Sequence, residues 1–137
     1  MKITLIGLKD NSMNVFPELG VALGKKISGV ELAERFAPVP EDLPVIALES
    51  AEESDFLIVF APIDDDKTAV FIKKKLVDVE LASKTRILKM VDSDYLSSSD
   101  ENDFEDEKER LVGEIVETVV NILFNEKAFE PKDREFE

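Results

Sequence analysis

The residues able to do chemistry in this chain are carboxylates, lysines and hydroxyls, because its 137 residues include no cysteine and no histidine. The commonest general base near neutral pH, the commonest metal ligand and the thiol nucleophile are therefore all missing. Three consecutive aspartates, Asp64, Asp65 and Asp66, follow the apolar run FLIVFAPI. Consecutive aspartates at a strand end can gather a hard cation such as magnesium, which prefers carboxylate and water oxygens. They can equally cap the next helix and favour its positive N-terminus, a task suited to Asp65 or Asp66. A phospho-receiver site is a third use of clustered aspartates, but its acceptor would end the central strand, where FLIVFAPI carries none.

The formal charge of −14 argues against a nucleic-acid partner, since phosphate neutralisation needs a basic surface. Anionic membrane surfaces are disfavoured on the same ground. Lys73, Lys74 and Lys75, with Lys67 nearby, form the basic island. Successive lysines on a helix point in different directions, so the expectation is a solvated face.

These groups need a scaffold, and the hydrophobic pattern predicts one. ITLIGL, from Ile3 to Leu8, reads as a strand covered on both faces and is too short for a signal sequence or a membrane span. The protein is thus expected to be cytoplasmic. Phe16, Leu19, Leu23 and Ile27 recur at helical spacing after Asn14, a candidate cap, with Pro17 in the first turn and Ser28 and Gly29 at the end. Gly20 and Gly24 suggest close approach of this helix to a sheet. VELAERF, from Val30 to Phe36, predicts a strand near the sheet edge. Asp42 and Pro44 announce a helix running to about Glu53. FLIVFAPI (Phe56 to Ile63) is the most buried-looking strand, and Ala69, Ile72, Leu76 and Val79 mark a helix over Lys67 to Ser83. ILKMV (Ile87 to Val91) is a further strand. After a serine-rich acidic spacer, Val112, Val116, Val119 and Leu123 define the stripe of a last helix.

The order βαβαβαβα predicts an α/β fold with a four-stranded parallel sheet, helices on both faces and right-handed connections. One domain is expected over residues 1–125, followed by a charged tail over 126–137. Ligands of such sheets sit outside the carboxyl ends of the strands. That rule selects Lys9 to Asn14, Val39 to Asp42, Pro62 to Lys67 and Asp92 to Tyr95.

One of these loops carries a family resemblance. VPEDLPVIALESAEESDFLIVFA resembles the segment of lumazine synthases and archaeal-type riboflavin synthases in which a VPG loop precedes an acid, LP and a helix, then an apolar strand. ILKMVDSDYL, the acidic spacer and a helix ending NILF are similar to the riboflavin synthase type. The resemblance implies a flavodoxin-like three-layer αβα sandwich and ring-shaped pentamers with active sites shared between subunits. It implies a heterocyclic ligand, 6,7-dimethyl-8-ribityllumazine or a related flavin precursor, and riboflavin synthase-like group transfer. Carried over residue by residue, Pro40, Glu41 and Asp42 meet the ribityl chain and pyrimidine ring, and Asn11 and Ser12 meet the heterocycle. Pro62 and Lys67 bound the segment that replaces the loop facing the phosphate or the second substrate. Asp92 stands where the riboflavin synthase type tends to have histidine, so Asp92 and Asp42 are the candidate catalytic carboxylates. A carboxylate serves as a base near neutral pH only where its surroundings raise its pKa. Glu41 replaces the glycine of the VPG loop.

Two readings follow from different classes. One is a riboflavin synthase-like enzyme or binder of flavin precursors, and the other is a homo-oligomeric interaction protein on the same scaffold without the chemistry.

Overall fold

A computed structural model describes residues 1–9, 15–92 and 101–124, with side chains of the last stretch from residue 105. Strand β1 (Lys2–Leu8) is followed by helix α1 (Phe16–Lys26), β2 (Glu31–Ala37), a short 3₁₀ turn (Pro40–Asp42) and α2 (Leu43–Ala51). Then come β3 (Phe56–Phe60), α3 (Asp66–Ser83), β4 (Arg86–Met90) and α4 (Glu101–Phe124). All strand pairs are parallel, in the order β2-β1-β3-β4. The expected four-stranded α/β architecture is present, and its layers and strand order are flavodoxin-like.

Side-chain alternation explains why helices lie on both faces. Along β1 and β3, Ile3, Leu5, Phe56, Ile58 and Phe60 pack with Phe16, Leu19 and Leu23 of α1 and with Leu111, Ile115 and Val119 of α4. The intervening Ile6, Leu57 and Val59 pack instead with Leu43 and Ala47 of α2 and with Ile72 and Leu76 of α3. All five residues of β3 are at most 1 % exposed, so this strand anchors both cores. The carboxylate of Glu18 on α1 meets Lys108 of α4 at 3.0 Å, tying the two helices of one layer together. Partial burial works against the Glu18 charge, but the hydrogen bond from Lys108, the Glu18 backbone N–H and the charge of Lys108 together outweigh it and hold its pKa below the ordinary carboxylate value.

Several local expectations change. Asn14 lies outside the described residues, and Val15 stands at the cap position of α1 without a side-chain capping bond. Asp42 precedes α2 but does not cap it: its backbone is already helical, because the 3₁₀ turn runs straight into the helix. Backbone bonds take over, with Asp42 N–H donating to Val39 O at 3.1 Å and Leu43 N–H to Pro40 O. Helix α2 ends at Ala51, two residues earlier than expected. Close approach to the sheet occurs at Gly7 more than at the two helical glycines. A Cβ on Gly7 would lie 3.0 Å from Phe16 Cε2 and 3.3 Å from Phe60 O, whereas one on Gly24 would meet nothing within 4 Å.

Candidate functional site

Strand order reverses between β1 and β3, so the crevice of this sheet opens at their carboxyl ends. Around it the chain places the VPEDLP turn after β2, the Pro62 to Lys67 segment after β3 and Asp92 after β4. Asn11 and Ser12, expected on the first rim loop, lie outside the described residues.

The β3 and β4 segments stay together beyond the regular strands. Ala61 N–H donates to Met90 O at 3.0 Å, and Ile63 N–H donates to Val91 O at 3.1 Å. Pro62 sits buried between these two donors, where a residue without an N–H removes no bond from the β4 side. The backbone pairing therefore brings Pro62 alongside the approach to Asp92.

Asp92 does not stand alone. Its Oδ1 lies 2.8 Å from the Nζ of Lys73 on α3, with both side chains roughly two-fifths exposed. This corrects the expectation that the whole lysine island is a solvated face. Lys73 turns to the rim, Lys75 lies 5.6 Å over the Phe71 ring and 3.9 Å from Asp78, and Lys74 and Lys67 are exposed. Crossover geometry is the signal for Lys73: a helix antiparallel to its strands carries its N-terminal half beside their carboxyl ends. Lys73 thus engages one of the two oxygens of the Asp92 carboxylate.

The acidic triplet divides in the structure. Asp65 caps α3, its Oδ2 accepting from Thr68 Oγ1 at 2.6 Å and its Oδ1 from Lys67 N–H at 3.3 Å. The Thr68 bond, followed by the Lys67 backbone donor, lowers the Asp65 pKa. Asp64 and Asp66 are exposed, and among the described residues no three acidic side chains are grouped to hold a metal ion. Helix capping accounts for Asp65, and the geometry that magnesium would need from the triplet is not assembled by the described residues.

Pro40 and Asp42 are half-buried, Glu41 is exposed, and their turn packs against α2 and α3. The Pro40–Asp42 turn and the Lys73–Asp92 pair thus both lean on α3. The ion-pair partner of Asp92 is Lys73 and not a residue of the Pro40–Asp42 turn. Fold and rim together define a flavodoxin-like parallel α/β protein with an acidic crevice mouth. No protein-family model matches the sequence, and no curated protein matches it.

Proposed function

We propose that this chain binds a flavin precursor of the 6,7-dimethyl-8-ribityllumazine type at the rim of its sheet. The observation that carries the reading is the position of the VPEDLP turn on the rim of a sheet whose strand order reverses at β1 and β3. In this reading the turn meets the polar ribityl chain through Asp42, and the buried Pro62 fixes the backbone beneath the ring system. Asp92 orients the heterocycle while Lys73 balances its charge. An ion-paired carboxylate is suited to holding a polar ligand in place, so binding is the more direct use of this site.

Calorimetry with 6,7-dimethyl-8-ribityllumazine tests the proposal, followed by an assay for riboflavin release. Binding is expected for the unaltered chain. Asp42→Ala and Asp92→Ala are expected to weaken it about tenfold each, whereas Lys74→Ala, on the exposed side of α3, leaves it unchanged. Absence of heat with ribityllumazine and with riboflavin removes both the binder and the enzyme readings.

A homo-oligomeric scaffold is the second reading, favoured by a separate observation. Edge strand β2 leaves Leu32 and Phe36 37 % and 42 % exposed, and Val21 of α1, which lines a groove with Leu32, is 61 % exposed.

A further inference from the structure

The sheet has two edges, and they are treated differently. At the β4 edge, Glu80 of α3 reaches across and its Oε2 accepts the Ile87 N–H at 2.8 Å. Lys89 completes the cover, its Nζ donating to Ile87 O at 3.1 Å and to Glu80 Oε1 at 2.5 Å. Both outward backbone groups of Ile87 are therefore already engaged. Such a side-chain clamp is one way to stop a strand edge from recruiting another strand.

The β2 edge carries no equivalent among the described residues. Glu31 N–H donates to Met1 O at 2.8 Å and Ala37 O accepts from Lys9 N–H at 2.9 Å, so the odd-numbered backbone groups of β2 face β1. Strand geometry then turns the N–H and C=O groups of Leu32, Glu34 and Phe36 outward. On the α1 side of this edge lies a groove of ≈ 450 Å³ lined by Phe16, Pro17, Val21 and Leu32, and the Phe36 ring stands 5.7 Å from that of Phe16. On the α2 side, Arg35 bonds Glu49 at 3.1 Å, with both side chains substantially exposed.

The geometry points to β2 as the seam of a two-fold dimer in which a second copy of this chain extends the sheet antiparallel, Ala33 facing its own counterpart across the axis. Charge favours this register, because among the registers centred on a residue from Leu32 to Phe36 it is the one that sets opposite charges against each other. A two-fold axis normal to the sheet pairs only residues that share a face. Centring the axis on Glu34 sets two carboxylates opposite each other, and centring it on Arg35 sets two guanidinium groups opposite each other; like charges so placed are destabilising. Centring it on Ala33 instead sets Glu31 opposite the second copy's Arg35, twice by symmetry. The same register pairs Leu32 with Glu34 through their free backbone groups and places Val30 opposite Phe36. The exposed Val21, which lines the groove with Leu32, then faces the second copy, and an isologous contact of this kind closes at two chains.

The inference rests on the scaffold reading and is independent of ligand binding. Sedimentation of the full chain at tens of micromolar is expected to show a two-chain species. Because the chain has no cysteine, Ala33→Cys introduces a single thiol. At a non-hydrogen-bonded antiparallel pair, about 4.5 Å between Cα atoms, it falls within disulfide reach of its counterpart. Mild oxidation should link Ala33→Cys chains far faster than Leu81→Cys chains, whose thiol lies on exposed α3. Glu31→Arg and Arg35→Glu should each weaken association about tenfold, and the double swap should restore it. Within one strand these two residues lie about 13 Å apart, so the rescue reports a contact between chains. Association without fast Ala33→Cys linkage and without charge-swap rescue overturns the β2 seam and leaves the scaffold reading standing. A monomer at these concentrations overturns both.

Discussion

Asp65 shows how one carboxylate can take a structural role within a candidate metal-binding cluster. Its two oxygens are engaged by Thr68 and by the Lys67 N–H, and those same bonds lower its pKa. A group whose pKa is lower folded than unfolded contributes stability above its unfolded value, and that contribution is lost as pH falls through the folded value. Asp65→Ser retains a neutral capping oxygen but has no charge to titrate. Thermal melts are therefore expected to show a constant gap between the two proteins at neutral and mildly acidic pH, narrowing below the ordinary aspartate range. A gap that is the same at all pH values would mean that the Asp65 charge contributes nothing. Asp42 was equally legible as a cap from its place before LP, yet it does not act as one. Sequence spacing locates a helix start but does not reveal that a preceding 3₁₀ turn has already supplied the backbone partners.

At the scale of elements, the apolar periods of α3 and α4 and the continuous run of β3 were readable because each long element repeats one signal many times. The short connections were less legible, since their conformation depends on neighbours distant in sequence. Gly7 is an example: its close contacts are with Phe16 and with Phe60 on another strand, so nothing local marks it. Lys73 and Asp92 meet for a similar reason, through the crossover from α3 to β4. The Glu80 clamp also spans this crossover, joining α3 to an edge strand by a carboxylate whose side chain is only 20 % exposed. Glu80→Ala strands the Ile87 N–H and leaves the Lys89 ammonium without its partner. Urea unfolding is expected to register a loss of about 1–3 kcal/mol. The variant should also aggregate more readily on warming than the unaltered chain, because the β4 edge becomes open to strand addition. Light scattering during the melt checks the second effect separately from the first.

For the whole molecule, the dominant electrostatic fact is the charge of −14, and it opposes any contact between two copies of the chain. Composition made this field legible at once, but it could not say where on the surface two copies can still meet. That depends on which strand becomes an edge and which edge is covered, properties of the strand order β2-β1-β3-β4. Across the proposed seam the local and long-range terms have opposite signs. Glu31 and Arg35 attract between chains at contact distance, while the remaining acidic surface repels over many ångströms. Salt acts unequally on the two: the Debye length falls from about 30 Å at 0.01 M to about 8 Å at 0.15 M, which screens the diffuse repulsion more completely than pairs in contact. Burial of Leu32 and Phe36 is insensitive to screening over this range. The dimer fraction measured by sedimentation is therefore expected to rise as salt increases from low to physiological strength. A fall over the same interval would mean that exposed ion pairs, and not apolar burial and strand pairing, hold the copies together.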